Sequence, residues 1–119
     1  MAKRATITAQ GIDIRLFSIK NEDYISLTDL AKQANPRTEI VIQNWMRTRN
    51  TVEFLGVWEQ LHNTGFNHIE FDVIRKKTDL SSFVLSISHW VEKTGAIGLI
   101  AKAGRYGGTY AHKDIALEI

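Results

Sequence analysis

The chain has 119 residues, of which 44% are apolar and 24% charged, with a single Pro. That composition describes one globular domain and excludes a disordered or low-complexity segment. It contains no Cys and has a formal charge of only +2; disulfides, thiolate metal sites and cysteine nucleophiles are excluded, and any attraction to nucleic acid depends on where the cations sit.

In chain order, Ile7 precedes a Gln10-Gly11 turn, after which Ile12, Ile14 and Leu16 alternate with Asp13 and Arg15. This period of two predicts a β-hairpin over residues 6–17. Ile19 extends the second strand to a polar Asn21-Glu22-Asp23 turn, and Tyr24-Ile25 begin a third. Ser26 and Asp29 form a capping-box pattern for a helix with Leu27, Leu30, Ala31 and Ala34 as its apolar stripe, stopped by Asn35-Pro36. On this reading Thr28 and Asp29 serve only the start of that helix.

A second helix is expected from about Glu39 to Thr48, capped by Thr38, with Val41, Ile42, Trp45 and Met46 inward and Gln43, Asn44, Arg47 and Arg49 outward or at its end. The Asn50-x-x-Glu53 pattern marks a third start, and Val52, Leu55, Trp58 and Leu61 give that helix its stripe up to Asn63-Thr64-Gly65. Trp45, Phe54 and Trp58 stand at helical spacing and are read as core, not as a base-stacking platform. Residues 66–82 are less legible; Ile69, Phe71, Val73 and Ile74 suggest a short helix ending in Arg75-Lys76-Lys77. Phosphate contact and a helix C-terminus favoured by the dipole explain that basic run equally well. Ser86 caps a further helix to Thr94, with Ile87, Trp90 and Val91 inward, Ser88, His89, Glu92 and Lys93 on the other side, and Gly95 closing it.

The most informative stretch follows. Ile97, Leu99 and Ala101 alternate with Gly98, Ile100 and Lys102; Gly104, Gly107 and Gly108 suit a tight reversal, and a helix begins after His112. Arg105 and Tyr106 fall at the tip of this hairpin. Residues 93–113 contain four Lys or Arg and no Asp or Glu. Arg105 can make bidentate contacts to phosphate or guanine, and Lys102 and Lys113 flank it as point charges. Tyr106 can donate its hydroxyl to phosphate, and the backbone N–H groups of Gly107 and Gly108 can approach a phosphate closely. On charge and spacing alone, a solvated hairpin explains these residues as well as a phosphate site does.

Two segments resemble the signatures of the KilA-N domain family. Residues 103–116, from Ala103-Gly104-Arg105-Tyr106-Gly107-Gly108-Thr109-Tyr110 to Ala111-His112-Lys113-Asp114-Ile115-Ala116, are similar to its C-terminal signature, and Tyr24-Ile25-Ser26-Leu27-Thr28-Asp29-Leu30-Ala31-Lys32 to its N-terminal one. Trp45, Arg47, Arg49-Asn50-Thr51 and Glu53-Phe54-Leu55 fit the segment between, so the likeness covers residues 5–119. It implies a DNA-binding module of bacteria, phages and large DNA viruses, akin to the fungal APSES transcription-factor domain. The family's last helix usually runs past the position of Ile119, which implies the N-terminal domain of a longer protein.

Enzyme readings find little support. Gly104-Arg105-Tyr106-Gly107-Gly108 lacks the Gly-Lys-Ser/Thr of a P-loop, and His62, His68, His89 and His112 show no zinc-ligand spacing. The expectation is therefore an α+β domain without catalysis, metal or cofactor. It consists of an N-terminal hairpin with a third strand, several short helices, and a helix followed by a wing-like, glycine-rich hairpin. Its partner is double-stranded DNA, contacted by Lys102, Arg105, Tyr106, Gly107, Gly108 and Lys113 of the wing, by Ser88, His89 and Lys93 of the preceding helix, and by Arg47 and Arg49. No small-molecule substrate is expected. The N-terminus has no apolar signal core and no stretch approaches membrane-spanning length, so the expected location is the cytoplasm. The alternative is a protein-interaction or self-association module using the same hairpin surface, which leaves a homo-oligomer open.

Overall fold

The computed structural model describes residues 3–9, 11–103 and 107–118. Five strands and six helices occur among them, in the order β1 (Lys3–Ala9), β2 (Ile12–Ile19), β3 (Glu22–Ser26), α1 (Leu27–Ala31), α2 (Thr38–Met46), α3 (Arg49–His62), α4 (His68–Lys77), α5 (Ile87–Thr94), β4 (Leu99–Lys102), β5 (Gly108–His112) and α6 (Lys113–Ala116). The α+β class expected from the sequence holds. The chain divides into two compact units, residues 1–42 with 101–119, and residues 43–100.

In the first unit the sheet has the strand order β1-β2-β3-β5-β4. β1 and β2 pair antiparallel with Arg4 opposite Phe17 and Thr6 opposite Arg15. The β2–β3 turn is shorter than expected. Lys20 and Asn21 take positive φ angles of 51° and 67°, the conformation of a two-residue hairpin turn, so Glu22 and Asp23 belong to the strand. The Gln10 half of the first turn lies outside the described residues. β3 pairs with β2 (Phe17 opposite Tyr24) and with β5 (Tyr24 opposite His112, Ser26 opposite Tyr110). Because side chains alternate across a strand, this register gathers Arg4, Thr6, Arg15, Phe17, Tyr24, Tyr110 and His112 on one face. Phe17 stacks on Tyr24 at 5.5 Å and meets Tyr110, two strands away, at 4.9 Å between ring centroids. α1 lies against β2 and β5, and α6 against β3 and β5. Their buried apolar residues are Leu27, Ala31, Ile115 and Ala116, while β2 and β5 contribute Ile14 and Ala111.

His112 joins strand and helix. Its Nδ1 accepts the Asp114 backbone N–H at 3.1 Å, which caps α6. That bond assigns the ring proton to Nε2, which faces Glu22 Oε2 at 2.6 Å.

In the unit of residues 43–100 the stripe of α3 is Val52, Leu55 and Trp58, all buried. Two details differ from expectation. Thr48, not Asn50, caps α3, its hydroxyl accepting the Thr51 N–H at 3.3 Å. Leu61 is exposed, and the buried neighbour of Trp58 is Glu59, at 1% exposure. Of the aromatic residues read as core, Trp58 is buried, whereas Trp45 and Phe54 are half-buried. α4 buries Phe71 and Ile74 and leaves Ile69 and Val73 exposed. Phe66, Phe71 and Trp90 meet at centroid distances of 5.6 to 5.9 Å to form an aromatic centre. α5 is as expected: Ser86 accepts the His89 N–H at 3.0 Å, and Gly95 ends the helix in the left-handed region at φ 68°.

A candidate nucleic-acid interface

The two segments that carry the family likeness meet at the base of the β4–β5 hairpin. β3 leaves the sheet at Ser26, so the next residue of β2, Arg15, has no strand partner on that side. Asp29 fills the gap. Its carboxylate accepts the Arg15 backbone N–H at 2.9 Å, Nε at 2.9 Å and Nη2 at 3.1 Å. Arg15 Nη1 then donates to the Gly107 carbonyl at 3.4 Å, and Thr28 Oγ1 accepts the Thr109 N–H at 3.1 Å. Gly108, at φ +140°, passes so close that a Cβ there would stand 3.0 Å from Thr28 Oγ1. Only Gly fits.

This corrects the reading of Thr28 and Asp29 as cap residues alone. Ser26 does cap α1, accepting the Asp29 N–H at 3.1 Å. The Asp29 side chain itself is committed to Arg15, with Lys32 Nζ a further 3.6 Å contact. Burial pushes the Asp29 carboxyl up, but the Arg15 bonds and the Arg15 and Lys32 charges outweigh it and hold it below the usual carboxylate value. The Arg15 guanidinium is raised, chiefly by its bond to Asp29. A capping-box pattern cannot distinguish these roles, because the partner is fourteen residues upstream on another strand.

A second fastening holds the start of the hairpin. The buried Glu59 carboxylate accepts the N–H groups of Ile97, at 3.0 and 3.2 Å, and of Gly98, at 2.8 Å, together with Asn63 Nδ2 at 2.9 Å. Sequence reading missed Arg15 and Glu59. The only signal was a charged residue in each apolar pattern, and that is also what a solvent-facing position looks like.

Of the residues expected to contact DNA, Lys102 is half-buried, with Nζ 3.9 Å above the Phe17 ring and 5.7 Å from that of Tyr110. Gly107 and Gly108 are half-exposed at the hairpin base, and Lys113 is exposed as the first residue of α6. Arg105 and Tyr106, with Gly104, lie outside the described residues. Ser88, His89 and Lys93 are exposed on one helix, α5. Arg47 donates to the Ser81 carbonyl at 3.3 Å, and Arg49 pairs with Glu53 at 3.7 Å and Asp79 at 3.3 Å. Arg75 and Lys76, of the basic run on α4, are both paired with Asp72.

Charge is unevenly shared. Residues 43–100 hold six Lys or Arg and six Asp or Glu, whereas the other unit holds nine and seven and so carries the entire net charge. On its sheet face an open groove of about 380 Å³ is lined by Arg4, Thr6, Arg15, Phe17, Lys102 and Tyr110, among others. Among the described residues no group of acidic or histidine side chains could hold a metal, and no helix is long and apolar enough to cross a membrane.

These features define a small α+β domain with a tightly fastened, glycine-rich hairpin and cations concentrated on the unit that bears it. The model of the KilA-N domain matches residues 9–119, and the chain belongs to that family of DNA-binding domains. Comparisons with curated proteins and with solved structures gave no match.

Proposed function

We propose that this protein grips duplex DNA through the β4–β5 hairpin. Arg105, Lys102 and Lys113 contact phosphates, and the backbone N–H groups of Gly107 and Gly108 and the Tyr106 hydroxyl add hydrogen bonds. Ser88, His89 and Lys93 of α5 read a groove, with Arg47 and Arg49 as further contacts. In this reading the chain is one functional DNA-binding domain of a regulator encoded by a phage or bacterium, and it works in the cytoplasm of that cell without catalysis.

The observation that supports it most is the hairpin base. An arginine fixed by a buried carboxylate, a hydroxyl and a glycine at φ +140° hold residues 107–109 in place, and preorganised donors lose less entropy on binding than mobile ones do. The rival reading, in which the same hairpin recruits a protein, has one observation in its favour: β4 is an edge strand of the sheet.

Fluorescence anisotropy with a labelled random-sequence duplex at two salt concentrations separates the readings. Phosphate binding by roughly four to six cations falls steeply with salt. The Lys102→Ala/Arg105→Ala double variant should bind more weakly to every sequence and with a flatter salt dependence. Binding unchanged in that variant removes the hairpin from the interface. No binding by the unaltered protein at low salt removes DNA and favours a protein partner.

A further inference from the structure

We infer that the groove on the sheet face is a second phosphate site, which takes a phosphodiester of the DNA strand beyond the hairpin. It rests on the DNA-binding reading and adds Arg4, Thr6 and Arg15 of the N-terminal hairpin to the interface, residues outside both family signatures.

The groove has the chemistry for this ligand. Register sets Arg4 and Thr6 of β1 directly opposite Phe17 and Arg15 of β2, so two guanidinium groups and a hydroxyl share one face. Lys102 reaches that face from β4, its Nζ lying 3.9 Å over the Phe17 ring. The floor is the packed pair Phe17 and Tyr110, both buried. No carboxylate lines the groove among the described residues. The acids on the same face are engaged elsewhere: Asp13 accepts from Thr8 at 2.7 Å, and Glu22 faces His112. Asp29 pairs with Arg15 of the groove itself and with Lys32, so it offsets one of the groove's three positive charges and leaves those of Arg4 and Lys102. An anion entering here meets an excess of positive charge over an apolar floor, where ion contacts are stronger than in open water.

Two of the three cations are also preorganised. Arg15 is fixed by its bonds to Asp29, with its side chain one third exposed at 33%, and Lys102 is held against the rings. Arginine forks suit the oxygens of phosphate better than a point charge does. Location selects the phosphodiester over a free anion. Arg15 lines the groove and also bonds Gly107 at the hairpin base, so a backbone seated on the hairpin runs next to the groove.

Arg4 is the residue to alter, because it is exposed and lies on an edge strand. Affinity for a labelled random-sequence duplex is measured across a salt series for the unaltered chain and for Arg4→Ala, Arg4→Lys and Lys20→Ala. Lys20 is a control in the β2–β3 turn, away from the groove. Arg4→Ala should reduce the magnitude of the slope of log K against log salt by roughly one and weaken low-salt binding about three- to tenfold, equally for all sequences. Arg4→Lys should restore the slope, and Lys20→Ala should leave it unchanged. An unaltered slope in Arg4→Ala, with the parent chain still binding, overturns the groove and leaves the hairpin reading standing. A loss in Lys20→Ala equal to that in Arg4→Ala also overturns it, since net charge alone would then explain both. Failure of the parent chain to bind at low salt overturns the DNA reading and the groove together.

Discussion

Replacing Asp29 by Asn keeps the shape of a side chain that is 4% exposed and removes its charge. Asp29 accepts three bonds from Arg15, one from the backbone and two from the guanidinium. An amide offers one acceptor oxygen and turns a donor toward the remaining guanidinium N–H, so at least one charge-assisted bond is lost. Such bonds contribute about 1.5–3 kcal/mol each, and breaking a fully buried ion pair costs about 3–5 kcal/mol. Arg15 is 33% exposed and regains water, which screens the loss and brings the expected cost to about 2 kcal/mol. For a chain of 119 residues that is a fall in Tm of roughly 8 °C. The assay is thermal and urea unfolding of Asp29→Asn, Arg15→Met and the double variant. The pair should couple by about 1–2 kcal/mol, and the Thr109 amide, bonded to the adjacent Thr28, should exchange faster in each single variant. Additivity within about 0.5 kcal/mol would refute the claim that Asp29 and Arg15 act as one clamp.

Three further outcomes are expected. Asp29 is depressed in the folded state, so its contribution is complete above the unfolded Asp value of about 3.9 and is lost as pH falls through the lower folded value. The urea midpoints of the parent chain and Asp29→Asn should therefore begin to converge as pH falls below about 4 and meet only below the lower folded value; a gap that does not narrow as the pH falls contradicts the assignment. Gly108→Ala, with φ +140° and Thr28 Oγ1 3.0 Å from the new Cβ, should cost about 1–3 kcal/mol by thermal unfolding; a neutral result means the hairpin base is not tightly seated. Glu59→Gln, at 1% exposure, turns an amide donor toward the N–H groups of Ile97 and Gly98 and should lower stability by about 1–3 kcal/mol, read from the urea midpoint.

Much of this fold follows from local rules. The alternation of Ile12, Ile14 and Leu16, the Ser26 and Ser86 caps and the left-handed Gly95 are decided by neighbours within four residues, so β2, α1 and α5 could be read along the chain. Local rules also misled where two structures share one pattern. Asn21-Glu22-Asp23 is polar enough for a turn, yet positive φ at Lys20 and Asn21 completes the reversal first and frees Glu22 for the strand and for His112. Leu61 continues a three-residue spacing, but successive steps of three drift around a helix with 3.6 residues per turn, and burial passes to Glu59 instead.

The candidate interface divides in the same way. Sequence by itself determined the basic, acid-free stretch from Lys93 to Lys113, the glycines of the turn and the likeness to a DNA-binding family, because charge, glycine content and motif order are properties of the chain. Tertiary structure alone decided what fastens the hairpin. Arg15 and Asp29 stand fourteen residues apart, and Thr28 and Thr109 eighty-one; these distances in sequence close only when β3 ends at Ser26 and β5 pairs beside it. The same register sets Arg4 and Thr6 against Phe17 and Arg15. Which face of a strand a cation occupies depends on pairing between strands, and no local pattern encodes that.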